Sequence, residues 1–254
     1  MPAAPPITGI VITLDEAPRI ARCLRSMAPV CREILVLDAG SSDDTVAIAR
    51  AEGAIVEHQE WLGYATQKNV AISRASQPWI LLLDADEWLE PEAQARLLAL
   101  FADGREAQAD VWCLRRRAHF LGHRMRHGGF SREPVQRLFR GHLRYGIRPV
   151  HEQLDTRGCR VRRSDIRLEH ETARSTDEYW TKLRGHAQLW GQDQANRGRF
   201  VVPGRGLLAA LAFLIKGLIL QGGILDGRPS LRLHWLHARY VVRKYRRLLI
   251  EQGC

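Results

Sequence analysis

The sequence has few features of disulfide-stabilised, zinc-binding or exported proteins. Its five cysteines are an odd number and show no Cys-x-x-Cys spacing, and no paired histidines accompany them. Neither a disulfide framework nor a zinc site is therefore predicted. The first residues, Met-Pro-Ala-Ala-Pro-Pro, lack the basic start and apolar core of a signal peptide. We expect a protein of a reducing compartment, with 254 residues available for one large domain or a domain with an appendage.

Two common nucleotide-binding motifs are also missing. No Gly-x-Gly-x-x-Gly follows the first apolar segment, and no Gly-x-x-x-x-Gly-Lys-Ser/Thr occurs anywhere in the chain. These motifs hold phosphates on backbone amides at the start of a helix. Their absence argues against a dinucleotide-binding protein and against a P-loop protein. A nucleotide bound by this chain must be held in another way.

Positive charge is concentrated in the later part of the chain. Residues 1–100 carry 8 Lys and Arg against 14 Asp and Glu, a net charge of −6. Residues 101–254 carry 30 against 14, a net charge of +16. Such a surface favours a polyanionic partner, which includes anionic lipid, phosphorylated glycan and nucleic acid. Nucleic acid is disfavoured because no helix-turn-helix, zinc-finger or aromatic RNA-binding motif accompanies the arginines.

Short apolar segments alternate with amphipathic ones over the first hundred residues. Strands are predicted at 7–13, 33–37, 54–57 and 79–83, and the segments between them predict helices, the third at 64–75. Pro18 in a first helical turn and Gly53 at a helix end support the boundaries. The order predicts an α/β fold with a doubly wound, mostly parallel sheet and helices on both faces.

The fourth predicted strand is an unbroken apolar run that ends in Asp84, Asp86 and Glu87. Ligands bind beyond the carboxyl ends of strands in open α/β sheets, and two carboxylates there suit a divalent cation that also contacts a phosphate. Glu16 and Asp38 follow the first two strands, so they should reach the same edge. The alternative is that Asp84 and Asp86 cap the helix that begins after Glu90.

Four motifs occur in order over this region: Ile-Thr-Leu-Asp-Glu at 12–16, Val-Leu-Asp-Ala-Gly-Ser-Ser-Asp-Asp-Thr at 36–45, Gln-Lys-Asn-Val-Ala at 67–71 and Leu-Asp-Ala-Asp-Glu at 83–87. Together they resemble the nucleotide-sugar-binding half of a family 2 glycosyltransferase of the GT-A fold. One departure is Asp15, where that family more often has asparagine.

The resemblance implies a role for each matching residue. Glu16 and Asp38 would meet the base and ribose of a nucleotide sugar, with a UDP-sugar as the expected donor, and Lys68 would lie near it. Asp84 would contact the ribose, and Asp86, with Asp84 beside it, would hold Mg²⁺ or Mn²⁺ on the two phosphates. The chemistry agrees, because a divalent cation stabilises charge on a leaving diphosphate.

The middle of the chain contributes the expected acceptor side. Strands are predicted at 111–116 and 135–140, with a histidine-rich loop at 119–130 that we expect to face phosphate or sugar. The segment that ends in Val-His-Glu at 150–152 resembles lipopolysaccharide core glucosyltransferases within family 2. Glu152 is the candidate general base, and His151 could instead be the base or a metal ligand. A structural His-Glu pair after a strand is the alternative.

The C-terminal part combines an apolar helix with a basic one. Residues 207–220 are apolar apart from Lys216, which is short for a membrane span, and their leucine and isoleucine stripe predicts an in-plane or shallow membrane helix. A helix packed on the catalytic domain is the alternative. A second helix is predicted at 231–250, and its lysine and arginines suit an anionic membrane surface.

These patterns predict a catalytic domain at 1–200, with a nucleotide-sugar half at 1–103 and an acceptor half at 104–200, and a helical membrane-associated tail at 201–254. The resemblance implies an inverting glycosyltransferase at the cytoplasmic face of a bacterial inner membrane, peripherally bound, with glucose as the expected sugar and a lipopolysaccharide inner-core acceptor. One alternative acceptor is a polyprenyl-linked or other cell-surface glycan. A non-catalytic basic protein that binds membranes or nucleic acid is the alternative from another class.

Overall fold

The computed structural model describes residues 4–146 and 153–252, which form two compact units. The first unit comprises residues 4–116, 134–146 and 153–170. The second comprises residues 117–133 and 171–252. The sequence-based boundary at residue 200 differs from this division and stays a prediction.

Eleven strands lie in the described residues. They are β1 (Ile7–Thr13), β2 (Glu33–Asp38), β3 (Ile55–His58), β4 (Trp79–Asp84), β5 (Glu87–Trp88), β6 (Val111–Phe120), β7 (His123–Arg124), β8 (Glu133–Arg140), β9 (Tyr145–Gly146), β10 (Gln153–Leu154) and β11 (Val161–Ala173). The α-helices are α1 (Ala17–Met27), α2 (Thr45–Ala51), α3 (Tyr64–Ser73), α4 (Pro91–Ala102), α5 (Thr176–Asn196), α6 (Arg205–Leu214) and α7 (Gly227–Glu251).

The main sheet has the strand order β3-β2-β1-β4-β8-β6-β11-β5. Its first four strands are parallel, with Thr13 opposite Asp38 and Ile12 opposite Asp84, so these strand ends share one edge. Beyond them the pairing reverses, because β8 joins β4 antiparallel and β5 joins β11 antiparallel. The α/β fold is confirmed, and its parallel part is the part that the sequence periodicity predicted.

Strand β1 is buried along its whole length because helices cover both faces of the sheet. Ile7 and Val11 pack with residues of α1 and α4 on one face. Ile10 and Ile12 pack with residues of α3 on the other. A strand covered on both faces needs apolar residues at every position, which explains the absence of polar alternation in the sequence.

Helices form most of the second unit. Gly191 of α5 lies so close to α7 that a Cβ there would sit 2.6 Å from Cγ of Arg247. After α6 the chain continues as a π-helical turn, Ile215–Leu220, and Gly217 and Gly223 lie against the buried imidazole of His234 on α7. Glycine is required at both positions, because a Cβ would approach that ring within 3 Å.

Several boundaries differ from the sequence predictions. The histidine-rich segment is not wholly a loop, since His119 lies in β6 and His123 in β7, and His127 hydrogen-bonds Asp226 with Nδ1 2.7 Å from Oδ1. Helix α7 begins at Gly227, four residues before the predicted start at 231. Strand β11 and helix α5 were not predicted.

Within residues 4–146 and 153–252, no single helix has both the length and the apolar composition to cross a membrane. One pair of helical segments, Arg205–Leu220 and Gly223–Glu251, meets that test together and is bent by 74°.

Candidate active site

The acidic turn after β4 is organised by Glu87, whose side chain is completely buried. Glu87 accepts a hydrogen bond from the backbone N–H of Asp84 at 3.1 Å. It also accepts bonds from Arg137 of β8 at 2.7 Å and from Arg116 of β6 at 3.3 Å. The third carboxylate of the motif is therefore an internal anchor, and Asp84 and Asp86 are the two that remain partly exposed.

Asp84 lies among cations at the end of β4. Its carboxylate is bonded by Arg137, and its Oδ1 lies 3.9 Å from Nζ of Lys68 of α3. Burial acts to raise the pKa of Asp84, but the charges of Arg137, Lys68, Arg116 and His170 outweigh burial and hold the pKa well below its ordinary value. Asp84 is consequently ionised throughout the neutral range.

Asp86 faces a histidine from a distant part of the chain. Its Oδ2 lies 3.4 Å from Nε2 of His170, and both side chains are about one-seventh exposed (14% and 13%). His170 reaches this position because β11 pairs with β5, which places His170 opposite Glu87. Carboxylates are typical ligands of Mg²⁺ and Mn²⁺, and a neutral imidazole is a common ligand of metal ions in general.

Asp86 and His170 fit a cation whose remaining coordination positions are filled by the substrate. Among the described residues, no cluster of three or more His, Cys, Asp or Glu side chains is arranged to hold a metal. A site with two protein ligands leaves positions for water and for phosphate oxygens, which is the usual manner in which Mg²⁺ is bound with phosphates. Asp86 and His170 are the residues that would hold it.

The loops after β1 and β2 are joined by hydrogen bonds. The Asp15 carboxylate accepts from the Ser42 N–H at 2.7 Å, and the Ser41 hydroxyl accepts from the Asp15 N–H at 2.9 Å. Asp15 has a φ of 53°, in the left-handed region, which asparagine and aspartate tolerate better than most residues. Aspartate therefore satisfies the geometry at the position where family 2 more often has asparagine.

Asp38 and Glu16 are held within these same loops. Asp38 is nearly buried, and its carboxylate accepts bonds from the N–H groups of Gly40 and Ser41 and from the Ser41 hydroxyl. Glu16 pairs with Arg19 at 3.0 Å. Thr13, at the end of β1, contains a buried hydroxyl that makes no hydrogen bond to the described residues. The loops thus present a pre-formed polar surface beside Asp84.

The helix-capping alternative for Asp84 and Asp86 is wrong. Helix α4 begins at Pro91 with Glu90 as its N-cap residue, and no side chain caps it by a hydrogen bond. Glu90 instead accepts a bond from the Trp88 indole at 2.9 Å.

The structure therefore brings Lys68 next to Asp84 and His170 next to Asp86, at the edge of the sheet where Glu16 follows β1 and Asp38 ends β2. The predicted base residues Glu152 and His151 lie outside the described residues. Sequence reasoning missed Arg137, Arg116 and His170, and the available signal for the first was its place in a predicted strand at 135–140. No local pattern marked His170.

The sheet and the residues at its carboxyl edge define a protein of the GT-A glycosyltransferase class. The sequence model described as "Glycosyl transferase family 2" matches residues 8–168. That match covers more than half of the chain, and the chain belongs to this family.

Two relatives and one solved structure illustrate the likeness. The lipopolysaccharide core biosynthesis glycosyltransferase LpsC of Rhizobium meliloti is 29% identical over 206 residues, 76% of this chain and 73% of LpsC. An uncharacterised glycosyltransferase of Rickettsia felis is 46% identical over 96 residues, 38% of this chain and 34% of that protein. The match thus spans about a third of the length of such rickettsial relatives. The mannosyltransferase PcManGT of Pyrobaculum calidifontis, solved with GDP-mannose and Mn²⁺, has a TM-score of 0.57 at 16% identity, covering 98% of this chain and 88% of that one.

Proposed function

We propose that this protein is an inverting glycosyltransferase that uses a nucleoside-diphosphate sugar and a divalent cation, Mg²⁺ or Mn²⁺. The observation that carries the proposal is the juxtaposition of Asp86 with His170 beside the charge-balanced Asp84. The family and the GT-A fold support it, and PcManGT, which has a similar fold, was solved with GDP-mannose and Mn²⁺.

Each residue of the edge has a distinct task in this proposal. Asp86 and His170 hold the cation, which when bound acts as a Lewis acid on the leaving diphosphate. Asp84 accepts a hydrogen bond from the nucleotide ribose, and Asp38 and Glu16 contact the ribose and base. Lys68, whose side chain is only 6% exposed, adds a fixed positive charge beside the place where negative charge develops. A UDP-sugar is the proposed donor.

Inversion requires a base that takes the proton of the acceptor hydroxyl. We assign this task to Glu152, with His151 as the alternative base or as a further metal ligand. A carboxylate within hydrogen-bond reach of the hydroxyl performs this step directly. On either side of the segment that contains both residues, Gly146 of β9 pairs with Gln153 of β10.

The proposed acceptor is the inner core of lipopolysaccharide, and glucose is the proposed sugar. The likeness to LpsC over three-quarters of the chain supports a core-type acceptor. The basic later part of the chain suits a phosphorylated or lipid-linked glycan. A polyprenyl-linked glycan satisfies the same charge argument and is the second candidate. The family assignment disfavours a non-catalytic nucleic-acid-binding protein.

Peripheral attachment to the cytoplasmic face of the inner membrane is proposed from the surface of α6 and the turn after it. Large apolar side chains there are strongly exposed: Leu207 65%, Leu208 65%, Leu211 56%, Ile215 42%, Ile219 67% and Leu220 76%. Residues 203–252 also carry nine Lys and Arg against two Asp and Glu. Exposed apolar area beside a basic helix suits the interface of an anionic bilayer better than it suits packing on the catalytic domain.

A screen of nucleotide sugars tests the enzymatic proposal. UDP- and GDP-sugars are added with MnCl₂, MgCl₂ or EDTA, and the unfolding temperature is recorded. A ligand that binds only the folded protein raises that temperature by mass action. We expect metal-dependent stabilisation by at least one nucleotide sugar, most strongly a UDP-sugar, and its loss in Asp86→Asn. Absence of stabilisation by every nucleotide sugar would contradict the proposal.

A further inference from the structure

Arg137 bridges two carboxylates beneath the active edge. Its guanidinium bonds Glu87 at 2.7 Å and also bonds the Asp84 carboxylate. The Glu87 side chain is fully buried, the Arg137 side chain is 8% exposed, and that of Asp84 is 37% exposed. The arginine therefore connects an internal anchor with a carboxylate that faces the site.

The anchor is fixed by more than one bond. Glu87 also accepts hydrogen bonds from the Asp84 N–H and from Arg116. Its carboxylate therefore binds the acidic turn and the two strands β6 and β8 together. With Glu87 held in this way, the position of the guanidinium is fixed, and the guanidinium in turn fixes Asp84. A planar fork of donors can hold two carboxylates in one geometry, whereas a lysine ammonium acts as a point charge.

Stability alone does not explain an arginine at this place. Its Nε is buried and has no hydrogen-bond partner among the described residues, which costs free energy. Replacing buried ion pairs by apolar residues is often neutral or stabilising. A positive charge next to Asp84 also opposes cation binding by that carboxylate. The arrangement therefore favours Asp84 as a ligand of the nucleotide.

We propose that Arg137 is a positioning residue for the donor nucleotide, which acts by holding Asp84 in the orientation that accepts a hydroxyl. This inference rests on the proposed function of the edge. It also places the cation on Asp86 and His170, away from the arginine-bound carboxylate.

The test compares four variants: Arg137→Lys, Arg137→Met, Glu87→Gln and, as a control, Arg140→Met. Arg140 is on the same strand but lies over the Trp79 ring, at the opposite end of β4 from Asp84. Calorimetry measures the affinity for MnCl₂ alone and for UDP and GDP in the presence of MnCl₂. Denaturant unfolding measures the folded fraction.

We expect Arg137→Met to weaken nucleotide binding by roughly tenfold or more, as loss of a charge-assisted contact does. Arg137→Lys and Glu87→Gln should fall between that variant and the wild type. Affinity for Mn²⁺ alone should not weaken, because a positive charge has been removed, and Arg140→Met should bind nucleotide as the wild type does.

Wild-type nucleotide affinity in folded Arg137→Met would overturn the inference. If that variant does not fold, wild-type affinity in both Arg137→Lys and Glu87→Gln would overturn it equally. A wild-type protein that binds neither nucleotide with Mn²⁺ contradicts the proposed function and the inference together. Binding by the wild type with no change in any variant contradicts only the inference.

Discussion

The carboxylate of Asp86 and the imidazole of His170 lie 3.4 Å apart, although one follows β4 and the other belongs to β11. The antiparallel pairing of β5 with β11 places His170 opposite Glu87 and so beside the acidic turn. The candidate metal site is thus assembled by sheet pairing between distant segments.

Both members of this pair should be needed for metal binding. We expect Asp86→Asn and His170→Gln each to lower the apparent affinity for Mn²⁺ by at least about tenfold. Substituting residues that only hydrogen-bond the metal ligands already lowers metal affinity by about that factor. Titration calorimetry with MnCl₂ and UDP measures the loss. Asp165→Asn is the control, because Asp165 is on the same strand but pairs with Arg96 at the surface. Unchanged affinity for Mn²⁺ in either variant would show that the substituted residue is not a metal ligand.

Glu87 should contribute to stability far more than an exposed glutamate. Glu87→Ala leaves buried Arg137 with one counter-charge fewer, and we expect the free energy of unfolding to fall by about 3 kcal/mol. Glu92→Ala, at an exposed position that pairs with Arg96, should change it by less than about 0.5 kcal/mol. Urea unfolding of the two variants measures both values. Equal small effects would show that the buried network is not an anchor.

The second unit should lose stability in mild acid because of His237. This ring stacks on Phe213 at 5.5 Å, and its Nδ1 lies 2.8 Å from the Tyr179 hydroxyl. The pKa of His237 is lowered from its ordinary value of 6.5 to about 4, chiefly by burial. The charges of His234, Lys244 and His186 add to this lowering, and that of Glu133 opposes it.

Between these two pKa values the unfolded chain binds a proton that the folded protein does not. Stability therefore falls as the pH drops from about 6.5 to about 4, by about 2 kcal/mol at pH 5, and above that range the ionisation of His237 adds no further pH dependence. Unfolding of the wild type and His237→Phe across pH 4.5–8 tests this. The variant loses the Tyr179 bond at every pH, so the pH slope is the informative quantity, and parallel slopes would contradict the prediction.

Vesicle binding should depend on the exposed face of α6. We expect the triple variant Leu207→Ser, Leu208→Ser, Leu211→Ser to bind phosphatidylglycerol vesicles at least about tenfold less tightly, because burying even one leucine contributes ~1.5–3 kcal/mol. High salt should weaken wild-type binding only partly, since it screens charge but not apolar burial. Ile55→Ser, at an exposed position on β3, is the control. Flotation of the triple variant equal to that of wild type would contradict membrane attachment through this face.

Substitution is a better test here than deletion of residues 204–254. Leu233 and Leu236 of α7 are buried with Tyr179 and Leu183 of α5. Removing α7 would open that cluster, and loss of vesicle binding could then follow from unfolding.

Glu152→Gln should lower sugar transfer by roughly 10²–10⁴-fold and leave nucleotide affinity unchanged, because the amide keeps the size of the side chain but cannot accept the proton. His151→Gln is measured beside it. A loss in the histidine variant alone would assign the base, or a metal ligand, to His151. Wild-type rates of sugar transfer in both variants would show that neither residue is the general base.

The sequence predicted the first four strands and their helices closely because their signal is local. Pro18 lies in the first turn of α1, and Gly53 adopts the left-handed conformation after α2, as the sequence indicated. Each strand end could be read from where an apolar run stops. The parallel order then placed Asp38 and Asp84 at one edge without further information.

The later strands carried a weaker signal. Strand β11 alternates between buried residues and exposed charged residues only over 163–168, and its length of 13 residues and its pairing with β5 depend on a segment far away in the chain. The role of Glu87 was equally hidden. The sequence assigned it no role beyond its place in the acidic motif, whereas the fold buries it completely against Arg137 and Arg116.

The α/β order, the acidic end of β4 and the neighbouring carboxylates could be predicted from the sequence, because each depends on residues close together in the chain. The sequence did not show which carboxylate is buried, which cations surround Asp84 or which histidine lies beside Asp86; these depend on the folded arrangement. Those relations join β4 and β5 to β8 and β11. Their physical reason is side-chain contact across paired strands, which depends on register and burial and leaves no periodicity in the sequence.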